Sequence, residues 1–117
     1  MSINNNGKNL ALDALGAAIG FVGLHSADPG SAGSNEIAGG SPAYARKAIT
    51  WAAASAGVVA KSGADIVFDV EGGDTVSFHG YWSAATVGTC YGGADVTDET
   101  FGAQGTYTLT AETITAT

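Results

Sequence analysis

Basic residues are scarce in this chain: Lys8, Arg46, Lys47 and Lys61 stand against eleven acidic residues, for a net charge of −7. A protein that neutralises phosphates needs clustered Lys and Arg, so nucleic acid is excluded as a partner. Charge of either sign is thin, at 13% of residues, about half of the usual quarter. Ala, Gly, Ser and Thr fill the surface role instead, a composition that suits an exterior partly covered by neighbours. The single cysteine, Cys90, can form neither an internal disulfide nor a metal site alone, and it reads as a small buried hydrophobe. A long apolar run is missing as well. The stretch from Leu10 to Leu24 is broken by Asp13 and three glycines, which fits neither a signal peptide nor a membrane span. The expectation is a soluble protein with no membrane partner.

What the chain does have is a run of turn residues, "HSADPGSAGSNEIAGG", His25 to Gly40. Gly and Pro remove side-chain packing and backbone donors where regular structure needs them, so this run predicts a long surface loop. Loops of that length in small domains are uncommon and tend to make contacts. Within it Asp28-Pro29-Gly30 has turn chemistry: Asp accepts a backbone bond, Pro fixes φ, and Gly takes positive φ. His25 and Asp28, with Ser26 between, invite a hydrolase reading, but the turn explains them more simply. Asp28, Pro29, Asn35 and Glu36 in the loop become candidate contact residues. Tyr44 and Arg46, directly after it, join them as the residue types enriched at contact hot spots.

Periodicity sets the rest. Leu12, Leu15 and Ile19 share one helical face, predicting a short helix over Leu10–Ala18 behind a polar arm, residues 1–9, whose Asn4, Asn5 and Asn6 are further candidate contacts. Residues 10–117 then form one domain. "GFVGLHS" reads as a first strand, and in "AYARKAITWAAA" Ile49 and Trp51 point inward. Ile66–Val70 and Thr75–Ser83 read as two strands joined by "EGGD" as a tight hairpin. On the second, Val76, Phe78, Gly80 and Trp82 face inward, while Ser77, His79 and Tyr81 face outward. Six to eight short strands with regular turn signals predict an all-β fold, an antiparallel β-sandwich of jelly-roll or Greek-key type with one short N-terminal helix. Its expected core is Phe21, Leu24, Ile49, Trp51, Ile66, Phe68, Val76, Phe78, Trp82 and Leu109.

Catalytic and metal signatures are missing. No Gly-x-Ser-x-Gly elbow, zinc-type His pair or phosphate-binding glycine loop is present, and "DVTDE" does not follow the spacing of a calcium loop. The protein is expected to be no enzyme and to need no cofactor or metal. His79 and Tyr81, as bulky rings on an outward face, are expected at or near the interface of a homo-oligomer, for which a trimer is the preferred form.

The segment "GLHSADPGSAGSNEIAGGSPAYARKAITWAAA" resembles, over residues 22–51, a family of small virion proteins of tailed phages, chiefly phages of actinobacteria, described as tail-fibre or minor structural proteins. The resemblance implies a non-enzymatic virion structural protein, assembled in the host cytoplasm, whose partners are the major capsid protein or other virion proteins. With no stalk or coiled coil in the sequence, a minor capsid or decoration protein on the head surface is preferred. The alternative is a tail-fibre or minor tail protein, and a second function class kept beside it is a module that binds host-envelope carbohydrate, with Trp51, Tyr81, Trp82 and Tyr91 as stacking platforms.

Overall fold

A computed structural model describes residues 2–117. The Asn4 side chain accepts a hydrogen bond from the Gly7 N–H at 3.1 Å, the N-cap interaction that satisfies an orphan donor of a first helical turn. Helix α1 therefore runs over Asn5–Ala18, five residues earlier than the apolar periodicity suggests. Asn5 and Asn6 are exposed, so the first turn needs no apolar residue and escapes a hydrophobic-pattern reading. Leu12 is buried and Leu15 half-buried, and through this face α1 packs on two short strands described next.

The strands are β1 (Phe21–His25), β2 (Lys47–Ala48), β3 (Thr50–Trp51), β4 (Val58–Ser62), β5 (Ile66–Val70), β6 (Thr75–Trp82), β7 (Cys90–Thr100), β8 (Gly105–Leu109) and β9 (Thr113–Thr115). They form three antiparallel sheets, ordered β2-β1-β6-β7, β3-β4-β9 and β5-β8. The fold is all-β and sandwich-like, with one short helix. Its core joins Ile19, Val22, Leu24, Ile37, Ile49, Phe68, Val70, Val76 and Leu109. Of the expected core, Phe21, Trp51, Ile66 and Phe78 are only half-buried, and Ile37 enters it from the middle of the glycine-rich loop.

Two expectations are corrected. The "EGGD" segment does not close a hairpin, because β5 pairs with β8 and β6 pairs with β1 and β7. It is a corner that carries the chain from one sheet to another, with Gly73 at φ +96° and the Asp74 N–H bonded to the Glu71 carbonyl. A Gly-Gly pair permits a tight corner of either kind, and only the pairing of distant strands chooses. The second correction concerns β6, whose supposed outward face is covered: His79 is 3% and Tyr81 6% exposed. Alternation sorts side chains between two faces, but it does not say that one face meets water.

What covers that face is a polar clamp. The His79 Nδ1 N–H donates to a Glu112 carboxylate oxygen at 2.5 Å, and Nε2 lies 2.8 Å from the Tyr107 hydroxyl, whose ring meets the imidazole edge-on. His79 belongs to β6, Tyr107 to β8, and Glu112 precedes β9 and takes the Lys61 N–H of β4 on its backbone carbonyl. One imidazole thus ties all three sheets together. Burial and the neighbouring Glu112 carboxylate also push the Tyr81 phenol well above its ordinary range.

Removing one member of a buried polar network leaves its partners unsatisfied, at a cost of about 1–3 kcal/mol. His79→Ala is expected to lower the unfolding free energy by an amount in that range, and Tyr107→Phe by about 1 kcal/mol, each moving the urea midpoint down in proportion. Urea unfolding followed by tryptophan fluorescence measures both, and an unchanged midpoint for His79→Ala would contradict the clamp.

Candidate functional site

Gly23 of β1 and Gly80 of β6 stand opposite each other in the register. Glycine inside a strand weakens it unless something must approach the backbone closely, and here something does. A Cβ on Gly23 would lie 2.9 Å from both a Glu36 carboxylate oxygen and the Tyr44 hydroxyl, and one on Gly80 would run into the His25 ring. The two glycines open a slot in the sheet face, and the motif residues fill it.

Arg46 forms a two-pronged pair with Glu36, Nε to Oε2 and Nη2 to Oε1, both at 2.9 Å. Its Nη1 donates to the Ala84 carbonyl at 3.0 Å and the Val87 carbonyl at 2.7 Å, and its guanidinium sits 3.4 Å from the centre of the Trp82 ring. The Tyr44 hydroxyl donates to Glu36 at 2.7 Å and accepts the Leu24 N–H at 2.9 Å. Burial raises the Glu36 carboxyl, but the bonds from Arg46 and Tyr44 outweigh it and hold the group below its usual range. Burial and the bond to Glu36 push the Tyr44 phenol far upward.

His25 lies nearly parallel to Trp82. Its Nδ1 donates to the Ser34 carbonyl at 2.8 Å, and its Nε2 accepts the Trp82 indole N–H at 3.3 Å. Burial keeps this imidazole neutral by lowering its pKa, although the Ser34 bond and Glu36 act the other way. Both ring nitrogens are engaged. The cluster's product is therefore shape: it fastens the loop after β1 and the Ser83–Thr89 loop into one platform.

On that platform Asp28 is exposed, and its Oδ1 accepts the Gly30 N–H at 2.8 Å. Asn35 is exposed in the left-handed region at φ +65° and donates its amide to the Asp28 carbonyl. Pro29 is buried close to Gly93, while Glu36, Tyr44 and Arg46 lie inside the cluster. Asn4, Asn5 and Asn6 belong to α1 and its cap, and His79 and Tyr81 to the clamp, so neither set joins the platform. Val87 is 84% exposed at φ +56°, a conformation that costs a β-branched residue about 1–3 kcal/mol. The bond from Arg46 to its carbonyl helps to hold it there. The sequence reading does not single out Gly23 or Val87, and it places Gly80 and Trp82 on an inward face, with Trp82 as core or stacking platform, without joining them to Arg46. The two glycines within strands were the available signal, since they mark a close approach.

The cluster holds two loops in fixed positions on a β-scaffold. The model of the family described as Podophage GP4 fiber I protein gp80 matches residues 16–117. The match spans most of the chain and the whole cluster, and the chain belongs to this family. It is a phage structural protein. The likeness thus reaches well beyond residues 22–51, and the family's description names a podophage fibre protein, not actinobacterial phages. No curated protein and no solved structure matches the chain.

Breaking a largely buried ion pair by removing one partner costs about 3–5 kcal/mol, and with the Glu36 side chain still 21% exposed the low end applies. Arg46→Ala is expected to destabilise by about 3 kcal/mol, and Arg46→Lys to recover only part of this because the ammonium lacks the planar fork. Thermal unfolding checks both. Acid should act in two stages. The unfolded chain protonates His25 near 6.5 while the fold resists, so stability falls as pH drops below that value. Below about 4.5 the unfolded chain also takes up a proton at Glu36 before the fold does, and stability falls again. Glu36→Gln should flatten the second stage in a pH series of urea midpoints, and an unchanged acid limb would contradict the assignment.

Proposed function

We propose that the protein is a non-enzymatic component of a phage tail fibre and that the platform held by Arg46 is the surface it offers to a neighbouring virion protein or to its target. The observation that carries this reading is the family match over residues 16–117, which favours a fibre over the head surface preferred from the sequence. The platform supports it in kind, because loops on a rigid scaffold are where binding residues gather. Contact there would be made through backbone, small polar groups and the Val87 side chain. Aromatic stacking on sugars finds less support: Tyr81 and Trp82 are buried and Trp51 half-buried, which leaves Tyr91, at 46% exposure, as the open ring of the four. Assembly as a homo-oligomer remains part of the proposal, with the contact moved away from the covered Tyr81 and His79.

Imaging of the assembled particle tests the location. The protein is expected in the tail fibres, and density on the head shell would overturn the reading. For the platform, Val87→Asp is expected to leave the fold intact and to raise its stability slightly, because Asp tolerates the left-handed backbone better than a β-branched residue does, while reducing incorporation into particles or their adsorption to host cells. Full incorporation together with unchanged adsorption would remove the platform from the contact.

A further inference from the structure

Strand β7 runs for 11 residues, about twice the common strand length, and it is an edge strand with β6 as its neighbour. Edge strands are normally kept short or covered, because their free N–H and C=O groups accept any extended chain. Over residues 90–97 of β7 alternate positions divide between the faces, with Ala94 and Val96 packed against the core and Tyr91, Gly93, Asp95 and Thr97 exposed. Beyond them, where the register with β6 shifts between Val76 and Phe78, Asp98, Glu99 and Thr100 are all exposed. Its second half carries Asp95, Asp98 and Glu99, all exposed. None of them is in an ion pair among the described residues, since the four basic residues lie on α1, in the Arg46 cluster, on β2 and on β4. A second copy of this chain fits poorly there. Antiparallel pairing through this half would set carboxylates against carboxylates, and like charges directly opposed are destabilising.

We propose that the free edge of β7 is a strand-addition site for an extended protein segment rich in Lys or Arg. Main-chain hydrogen bonds to the edge supply affinity, as in other cases of strand addition. The three carboxylates select the partner by charge and exclude another copy of the chain. At Gly92 a Cβ would meet nothing within 4 Å, which leaves that point of the strand open to close approach, whereas Gly93 is already met by Pro29 and the His79 carbonyl. This inference stands apart from the Arg46 platform, and its test does not depend on the location in the particle.

The probe is a synthetic peptide of alternating Lys and Thr, compared with a twin N-methylated at every second residue, which keeps the charge and loses the edge-pairing N–H groups, and with a peptide of alternating Glu and Thr. Amide hydrogen exchange of the full chain, read by NMR, reports the site. The unmodified Lys peptide is expected to slow exchange along β7 by roughly tenfold or more, with binding that weakens as salt rises. The methylated and Glu peptides should do neither. The double substitution Asp95→Lys with Glu99→Lys lies on exposed positions and is expected to reverse the preference in favour of the Glu peptide. Equal binding of the methylated twin, protection elsewhere than β7, or no protection at all would overturn the proposal.

Discussion

The shape of the loop platform depends on the pairing of Arg46 with Glu36. Taking a guanidinium and a carboxylate out of water costs several kcal/mol per ion unless each finds good partners. Here the guanidinium meets two carboxylate oxygens, two backbone carbonyls and the face of an indole, while the carboxylate also receives the Tyr44 hydroxyl. That closure works only because Gly23 and Gly80 leave the sheet face bare beneath it. The glycines make room, the charges fill it, and two loops distant in sequence become one surface.

Strand β6 is the spine on which this arrangement rests. Gly80 and Trp82 look toward the Arg46 cluster, while His79 and Tyr81 look toward Glu112. The strand is buried on both faces, yet polar partners wait on each, so its sequence reads as neither a half-exposed strand nor an apolar central one. Hydrophobic burial supplies most of the driving force for such a domain. The two polar clusters add specificity of placement, since their directional bonds are satisfied in one arrangement of the sheets.

Much of the fold was legible in the sequence. The alternation around Ile49, Phe68, Val76 and Leu109 placed these residues correctly in the core, and the glycine-rich turns marked the ends of short strands. The helix start was missed because Asn4 caps a first turn that has no apolar residue. The "EGGD" corner was misread because local turn chemistry is the same whether the flanking strands pair with each other or with others. The site was half legible. Its motif could be quoted residue by residue, but Tyr44 and Arg46 looked like surface contacts, because the slot that receives them is made by glycines on strands distant in sequence.

The glycine slot also has a bearing on how such a chain can vary. Gly23, Gly80, Glu36, Tyr44, Arg46 and Trp82 occupy one volume and satisfy one another's charges and donors, so a change in any of them leaves a void, a clash or a stranded ion for the others. They are a single heritable unit that drifts only by coordinated replacement. Ser31, Ala32 and Thr86, exposed on the loops above, are bound by no such agreement. Those positions can change while the chassis below them stays the same.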